Sequence, residues 1–312
     1  MTFLRTIATH RFTLLFAAVF TVITWVIHAN HVGTLTTSNI TAFADFAGGM
    51  ALCGLTVYLT AELNNAFALL RISSRMISAT LTLLLAPAVF LHPLQNGHAV
   101  MMFAVSVLFP VFASYKNSNA PVLPLTTFLF MSLASLFYPR LLYTAPLYLL
   151  ILILMRSFSL RHLLAGIIGL SIPYWFFFTV SFCRDSMSLM TWHFNQLVDL
   201  PTQLYSTVTL QQWLVAGLML LLFLIGSIHH LMTAHEESTR TRQNYSMVML
   251  AGFASFVMLA LLPSDFSTVM PLCMIPTAIT GGHFFALSTG KVLHIVAIII
   301  SVMIFALTAY SL

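Results

Sequence analysis

The most constraining feature of this chain is where its charges fall. Eleven apolar runs, each close to the length of a membrane helix, are separated by short breaks that hold nearly all the charged residues. A spanning helix needs about 20 mostly apolar residues, with a range of ~17–25. The runs lie at about 12–28, 41–61, 77–91, 99–114, 121–138, 141–155, 163–182, 211–229, 246–262, 267–286 and 290–310. Several are short, and the fifth and sixth nearly touch at Tyr138-Pro139-Arg140, so a broken or re-entrant pair stays open there. The expected fold is an all-α transmembrane bundle of eleven spans, with ten or twelve as alternatives. It forms a single integral membrane domain over 1–312 with no soluble domain.

Composition excludes the competing classes. Charged residues make up 6% of the 312 and apolar types 60%, whereas a soluble domain is ~25% charged. Mean hydropathy is +0.98. The net charge of +5 does not indicate nucleic acid, because the bases are scattered singly or in pairs between apolar runs rather than gathered in a patch. Arg5 and Arg11 before the first run resemble a signal-peptide start. No A-x-A site follows in His28-Ala29-Asn30-His31, and the run is read as an uncleaved first span.

The bases also orient the chain. With the N-terminus in the cytosol and sides alternating, Arg5, Arg11, Arg71, Arg75, Lys116, Arg156, Arg161, Arg240, Arg242 and Lys291 fall inside. Only Arg140 and Arg184 fall outside. This positive-inside bias predicts an N-in, C-out topology and an odd number of spans. Trp25, Tyr115, Tyr138, Tyr143, Trp192, Trp213 and Tyr245 sit near span ends, as interfacial anchors do. The expected location is a bacterial inner membrane.

Candidate chemistry is sought among the few ionisable groups, because a charge at bilayer depth faces a cavity or a partner. Asp45, Asp185, Asp199 and Asp265 fall on the outer side, with Arg140 and Arg184. Asp45, early in the second span, is placed as a general base for a sugar or lipid hydroxyl. Arg140, at an outer helix break, has the guanidinium fork suited to phosphate. Residues 183–210 form the longest outer segment. Met190, Phe194, Leu197 and Val198 follow i, i+4, i+7, i+8 spacing, with His193, Gln196 and Gln203 on the other side. That pattern predicts an amphipathic surface helix, interrupted by Pro201, that roofs an outward site or packs as a lid over the bundle. Arg184, Asp185 and His193 are the substrate-binding candidates there.

Other signals are spare. His229, His230 and His235 form one H-H-x4-H beside Glu236 and Glu237, with no second histidine box, and are read as interfacial polar residues. No metal and no cofactor is expected. Cys53, Cys183 and Cys273 are far apart and are read as apolar fillers. The chain has no phosphate loop, nucleophile elbow or H-E-x-x-H.

The stretch Met131-Ser132-Leu133-Ala134-Ser135-Leu136-Phe137-Tyr138-Pro139, then Leu154-Met155-Arg156-Ser157-Phe158-Ser159-Leu160-Arg161-His162, Leu164 to Gly169 and Pro173-Tyr174 resembles a family of uncharacterised polytopic inner-membrane proteins of Bacteroidota. Leu63-Asn64-Asn65 to Arg71 resembles it too. The layout is also similar to the membrane core of GT-C glycosyltransferases. That resemblance implies transfer from a polyprenyl-phosphate-linked sugar at the outer face, with Asp45 as the acidic counterpart. Three readings therefore stand: such an envelope-biogenesis enzyme, a small-solute transporter or lipid flippase, and a non-catalytic scaffold with a membrane-protein partner. All three place membrane lipids around the chain and none involves nucleic acid.

Overall fold

The computed structural model describes residues 9–10, 12–31, 40–199, 205 and 208–312. Arg5, Arg11, most of the segment 29–40, Pro201 and Gln203 lie outside the described residues. All regular structure among the described residues is helical. The α-helices are α1 (Thr13–His31), α2 (Ile40–Phe67), α3 (Met76–Leu85), α4 (Asn96–Ala113), α5 (Val122–Phe137), α6 (Ala145–Leu154), α7 (Leu160–Cys183), α8 (Met187–Val198), α9 (Leu210–Thr233), α10 (Thr239–Leu261), α11 (Phe266–Leu287) and α12 (Lys291–Ser311). Each of the eleven apolar runs coincides with one of them, and α8 is the extra surface helix. Eight helical segments are long and apolar enough to cross a membrane, and three apolar helices are shorter. The chain is a multi-pass integral membrane protein.

Local chemistry sets several boundaries. The Ser159 side chain accepts from His162 N to open α7, and Ser238 accepts from Thr241 N to open α10. Thr209 and Gln212 form a reciprocal capping box at the start of α9. At the end of α7, Asp185 takes the left-handed conformation at φ 50°. Ser186 N donates to Ser181 O at 2.9 Å and Asp185 N to Phe182 O at 3.2 Å, completing a Schellman cap.

The chain divides into two compact units, Met1–His98 with Tyr205–Leu312, and Ala99–Leu204. In the first unit α11 is the axis. It packs against α3, α9 and α10, and 94% of its spanning window is buried. α3 is buried on nearly every side. Its backbone therefore meets protein on nearly every side, the setting in which a short helix continued by an irregular stretch to Leu91 is tolerated within a membrane bundle. Glycines let these helices approach. A Cβ on Gly282 would stand 2.6 Å from Ile77 Cα, and one on Gly226 would stand 2.5 Å from Thr280 O. α1 and α12 keep exposed apolar faces, such as Phe16, Val19, Ile298 and Val302.

In the second unit α5 and α7 form the closest pair. Gly166 lies against the Phe128 ring and Gly169 against the Leu125 carbonyl. Ser132 Oγ donates to Leu170 O at 2.7 Å, tying the two helices by a polar bond inside an apolar interface.

Candidate functional site

The residues expected from sequence on the outer side fall in both units. Asp45 is exposed on α2 in the first unit. Arg140 belongs to the second unit, in the 3-10 turn Pro139–Thr144. Its Nε donates to Gln196 O at 3.0 Å and its Nη2 to Asp199 O at 2.6 Å. Tyr143 Oη donates to Leu197 O beside it. These are the last carbonyls of α8, which have no partner within the helix and carry its negative dipole end. The guanidinium fork is thus engaged in capping α8. Arg184 and Asp185 are exposed at the turn between α7 and α8, where Asp185 serves the Schellman cap.

His193 differs from its expected orientation. The amphipathic helix is present as α8, but His193 is buried while Val198 is exposed. His193 alone of this helix turns fully inward, because partners wait there. Tyr174 Oη is 3.3 Å from His193 Nε2 and 2.8 Å from Ser135 Oγ, and Ser135 Oγ lies 2.7 Å from Ser132 O. The consistent donor order runs from His193 Nε2–H through Tyr174 and Ser135 to the Ser132 carbonyl. Phe177 and Phe194 pack on the same ring. Burial lowers the pKa of His193 below its ordinary value, in keeping with a neutral donor.

The densest set of ionisable groups lies elsewhere, in the first unit, where the ends of α9 and α11 meet the start of α10. His283 on α11 is the centre. Its Nε2 is 3.4 Å from Glu237 Oε1, and the two side chains are 0% and 3% exposed. Its Nδ1 is 3.3 Å from His229 Nδ1. The Tyr245 ring stacks on His230 with centroids 4.2 Å apart, and both rings stand edge-on to His283 at 4.9 and 5.0 Å. Arg71 pairs with Glu236 next to this cluster.

The chemistry follows from the donor inventory. Glu237 and His229 lie at opposite nitrogens of one imidazole, the layout of a proton relay, with the Nε2–Oε1 contact an ion-pair approach and not a hydrogen bond. Burial opposes charge on Glu237, but His283, Arg71 and His230 together outweigh it and hold its carboxyl below the usual range. Beside His283, Tyr245 Oη and His230 Nδ1 are buried with no hydrogen-bond partner among the described residues, as are Asn244 Nδ2 and Oδ1 one residue before Tyr245 on α10. Buried polar groups are rarely left so. Unpartnered buried atoms also occur at His92, His98 and His162, so what sets this place apart is the carboxylate and the three imidazoles packed together.

Sequence reading placed His229 and His230 at the interface, but both are buried. It missed His283 and Tyr245 as members of the set. One signal was available: His283 is the only ionisable residue within the apolar run 267–286 apart from the thiol of Cys273, and an intramembrane histidine asks for a partner. Its partners come from helices up to about 50 residues distant in sequence, and no local spacing encodes them. Among the described residues, no three His, Cys, Asp or Glu side chains form a group able to hold a metal ion.

No protein-family model, no curated protein and no solved structure matches the chain.

Proposed function

We propose that this protein is a proton-linked carrier of the bacterial inner membrane, and that the first unit holds its transport path. The observation that carries this reading is the Glu237–His283–His229 relay inside its cage of rings and unpartnered polar atoms. A carboxylate and three imidazoles are costly in a membrane bundle and are kept where they bind a cargo or exchange protons. The two most buried helices, α3 and α11, carry buried hydroxyls, Ser78, Thr80 and Thr82 on one and Thr277 and Thr280 on the other, as α1, α2 and α10 of the same unit do too. The α11 positions 277, 280 and 283 recur every three residues, so they share one face. Pro271 and Pro276 lie within the same helix and interrupt its hydrogen-bond ladder.

The topology that goes with this reading has eleven spans, with the N-terminus in the cytosol. It is supported by which loops meet. Arg71, after α2, pairs with Glu236, after α9, so both turns share one end of the first unit. At the other end Trp25 Nε1 donates to Leu85 O at 3.2 Å, Gly97 approaches Ser267 O, and Tyr205 Oη donates to Ala260 O at 2.8 Å. The starts of α4 and α9 thus lie at that same end of the first unit. The relay then lies at the cytosolic end, beside the positively charged loops.

The test is reconstitution in vesicles loaded with a pH-sensitive dye. A panel of sugars, amino acids, carboxylates, nucleosides and lipids is supplied with an imposed pH gradient. The expected result is that one class speeds proton movement above protein-free vesicles, and that Glu237→Gln and His283→Asn abolish the increase at equal protein content. Absence of solute-dependent proton movement across the panel, or full retention in both variants, overturns the proposal.

A further inference from the structure

The end of the first unit away from the relay holds a second set of imidazoles. His31 at the tip of α1 is exposed and His28, one turn earlier, is half-buried. His92, in the turn after α3, and His98, at the start of α4, are 4% and 1% exposed. The His28 ring meets the His92 ring edge-on with centroids 4.7 Å apart. His31 is close enough to His28, and His98 to His92, for their charges to be felt. The four imidazoles thus run from the surface inward, and exposure falls along the series.

The segment that carries His92 and His98 is wedged into the unit. A Cβ on Gly49 of α2 would stand 3.2 Å from His92 O and 3.4 Å from His98 Nε2, and one on Gly97 would stand 2.6 Å from Ser267 O of α11. Glycine at both positions lets α2 and the start of α11 close on this segment. Trp25 covers the His92 ring with centroids 4.4 Å apart, and its own Nε1–H is spent on Leu85 O. His98 is held at Nδ1 by the backbone of Gln95 at 3.2 Å. His92 has no such tie: Nδ1 and Nε2 are both buried without a hydrogen-bond partner among the described residues. A neutral imidazole has one donor and one acceptor to place, and a buried polar group without a protein partner is ordinarily met by water.

We propose that His92 is a water-fed proton-exchange site, reached past His31 and His28 from the end of the bundle opposite the relay. A proton from that water adds at one ring nitrogen, the proton on the other nitrogen leaves to water, and the ring returns to neutral. The titratable groups that act on His92 are His28 from α1 and His98 from α4. The carboxylates of the neighbouring elements are Asp45, exposed on α2 about one turn before Gly49, and Asp265 before α11. With no carboxylate among the groups that act on it, His92 has nothing to trap a proton, so the ring passes it on instead of storing it. The inference rests on the carrier reading for its role: it supplies the outer proton entry of a path whose cytosolic end is the Glu237–His283 pair.

The experiment is NMR of the full chain in lipid vesicles with nitrogen-labelled histidine, reading the exchange of each ring N–H with water. The His92 signal is assigned by its loss in His92→Phe. The reference is His162 in the second unit, which is 1% exposed and also has an unpartnered Nε2. The His92 ring proton is expected to exchange about tenfold faster than that of His162. His28→Phe keeps a ring against His92 and removes the nitrogens, and should slow the His92 exchange about tenfold. Exchange at His92 no faster than at His162, or unchanged in His28→Phe, overturns the proposal. If His28→Phe does not fold, the comparison with His162 in the wild type decides alone. The exchange reading needs no transport. Fast exchange at His92 in a protein that moves no protons with any solute refutes the carrier alone. Solute-driven proton movement that is undiminished in His28→Phe, with slow exchange at His92, refutes this site alone.

Discussion

His283 Nε2 and Glu237 Oε1 stand 3.4 Å apart with both side chains shut away from solvent. The distance is long for a hydrogen bond and short for two groups that ignore each other. A buried pair of this kind contributes little net stability while intact, but removing one member leaves the other uncompensated at a cost of about 3–5 kcal/mol. His283→Ala should therefore destabilise the first unit by that order, and the double variant His283→Ala with Glu237→Leu should recover part of the loss. Unfolding by a denaturing detergent, followed by Tyr and Trp fluorescence, measures both.

The same pair sets a pH dependence. The Glu237 carboxyl is held below its ordinary range, so near that range the folded protein binds fewer protons than the unfolded chain and stability rises with pH. The contribution is present above the ordinary carboxylate pKa and is lost as pH falls through the lower folded value. Melting temperatures from pH 6 to pH 3 should drop more steeply for the wild type than for Glu237→Gln. Parallel curves would remove Glu237 as the titrating group.

His92 gives a second, independent acid sensitivity. It packs on Trp25 with centroids 4.4 Å apart and edge-on to His28 at 4.7 Å. Burial, then the nearby His28 and His98, push its pKa down to about 3. The unfolded chain takes up this proton near the ordinary value of 6.5, so stability from this residue is complete above that pH and fades as pH falls toward 3. His92→Phe should flatten the decline between pH 6.5 and 4. Nitrogen NMR of the labelled imidazole should report a neutral ring at pH 5.

Arg140 holds the end of α8 through the carbonyls of Gln196 and Asp199. Charge-assisted bonds to such groups are worth about 1.5–3 kcal/mol. Arg140→Ala should raise hydrogen exchange of α8 amides at 193–199 and leave exchange in α9–α11 unchanged. Arg140→Lys, with one compact donor group in place of the fork, should fall between.

Glycine replacement separates close contact from mere presence of glycine. Gly282→Ala would press a Cβ to 2.6 Å from Ile77 Cα, which is backbone and cannot step aside. A cost of about 1–3 kcal/mol is expected. Gly54 on α2 has nothing within 4 Å of the same construction, so Gly54→Ala should be neutral or gain up to about 1 kcal/mol from helix propensity. Thermal unfolding in one detergent compares the two directly.

Sequence alone determined the membrane, the helical class and the position of each apolar helix, because lipid forces every backbone polar group to be satisfied within its own segment. That requirement is local and leaves its mark as runs and charges, down to the separate identity of α8. Which helix sits at the centre was decided only in three dimensions: α11 and α12 are both apolar runs, yet one is shielded by its neighbours and the other faces outward. The same holds for function. Asp45 and Arg140 look alike as scarce outer charges, but only the folded chain assigns the guanidinium to the α8 carbonyls. His229 and Glu237 read as one local polar group and His283 stands apart from them until α9 and α11 bring them together. Pairing across distant helices depends on shape and on the cost of unmatched polar atoms, and neither is written in the order of residues along any one helix.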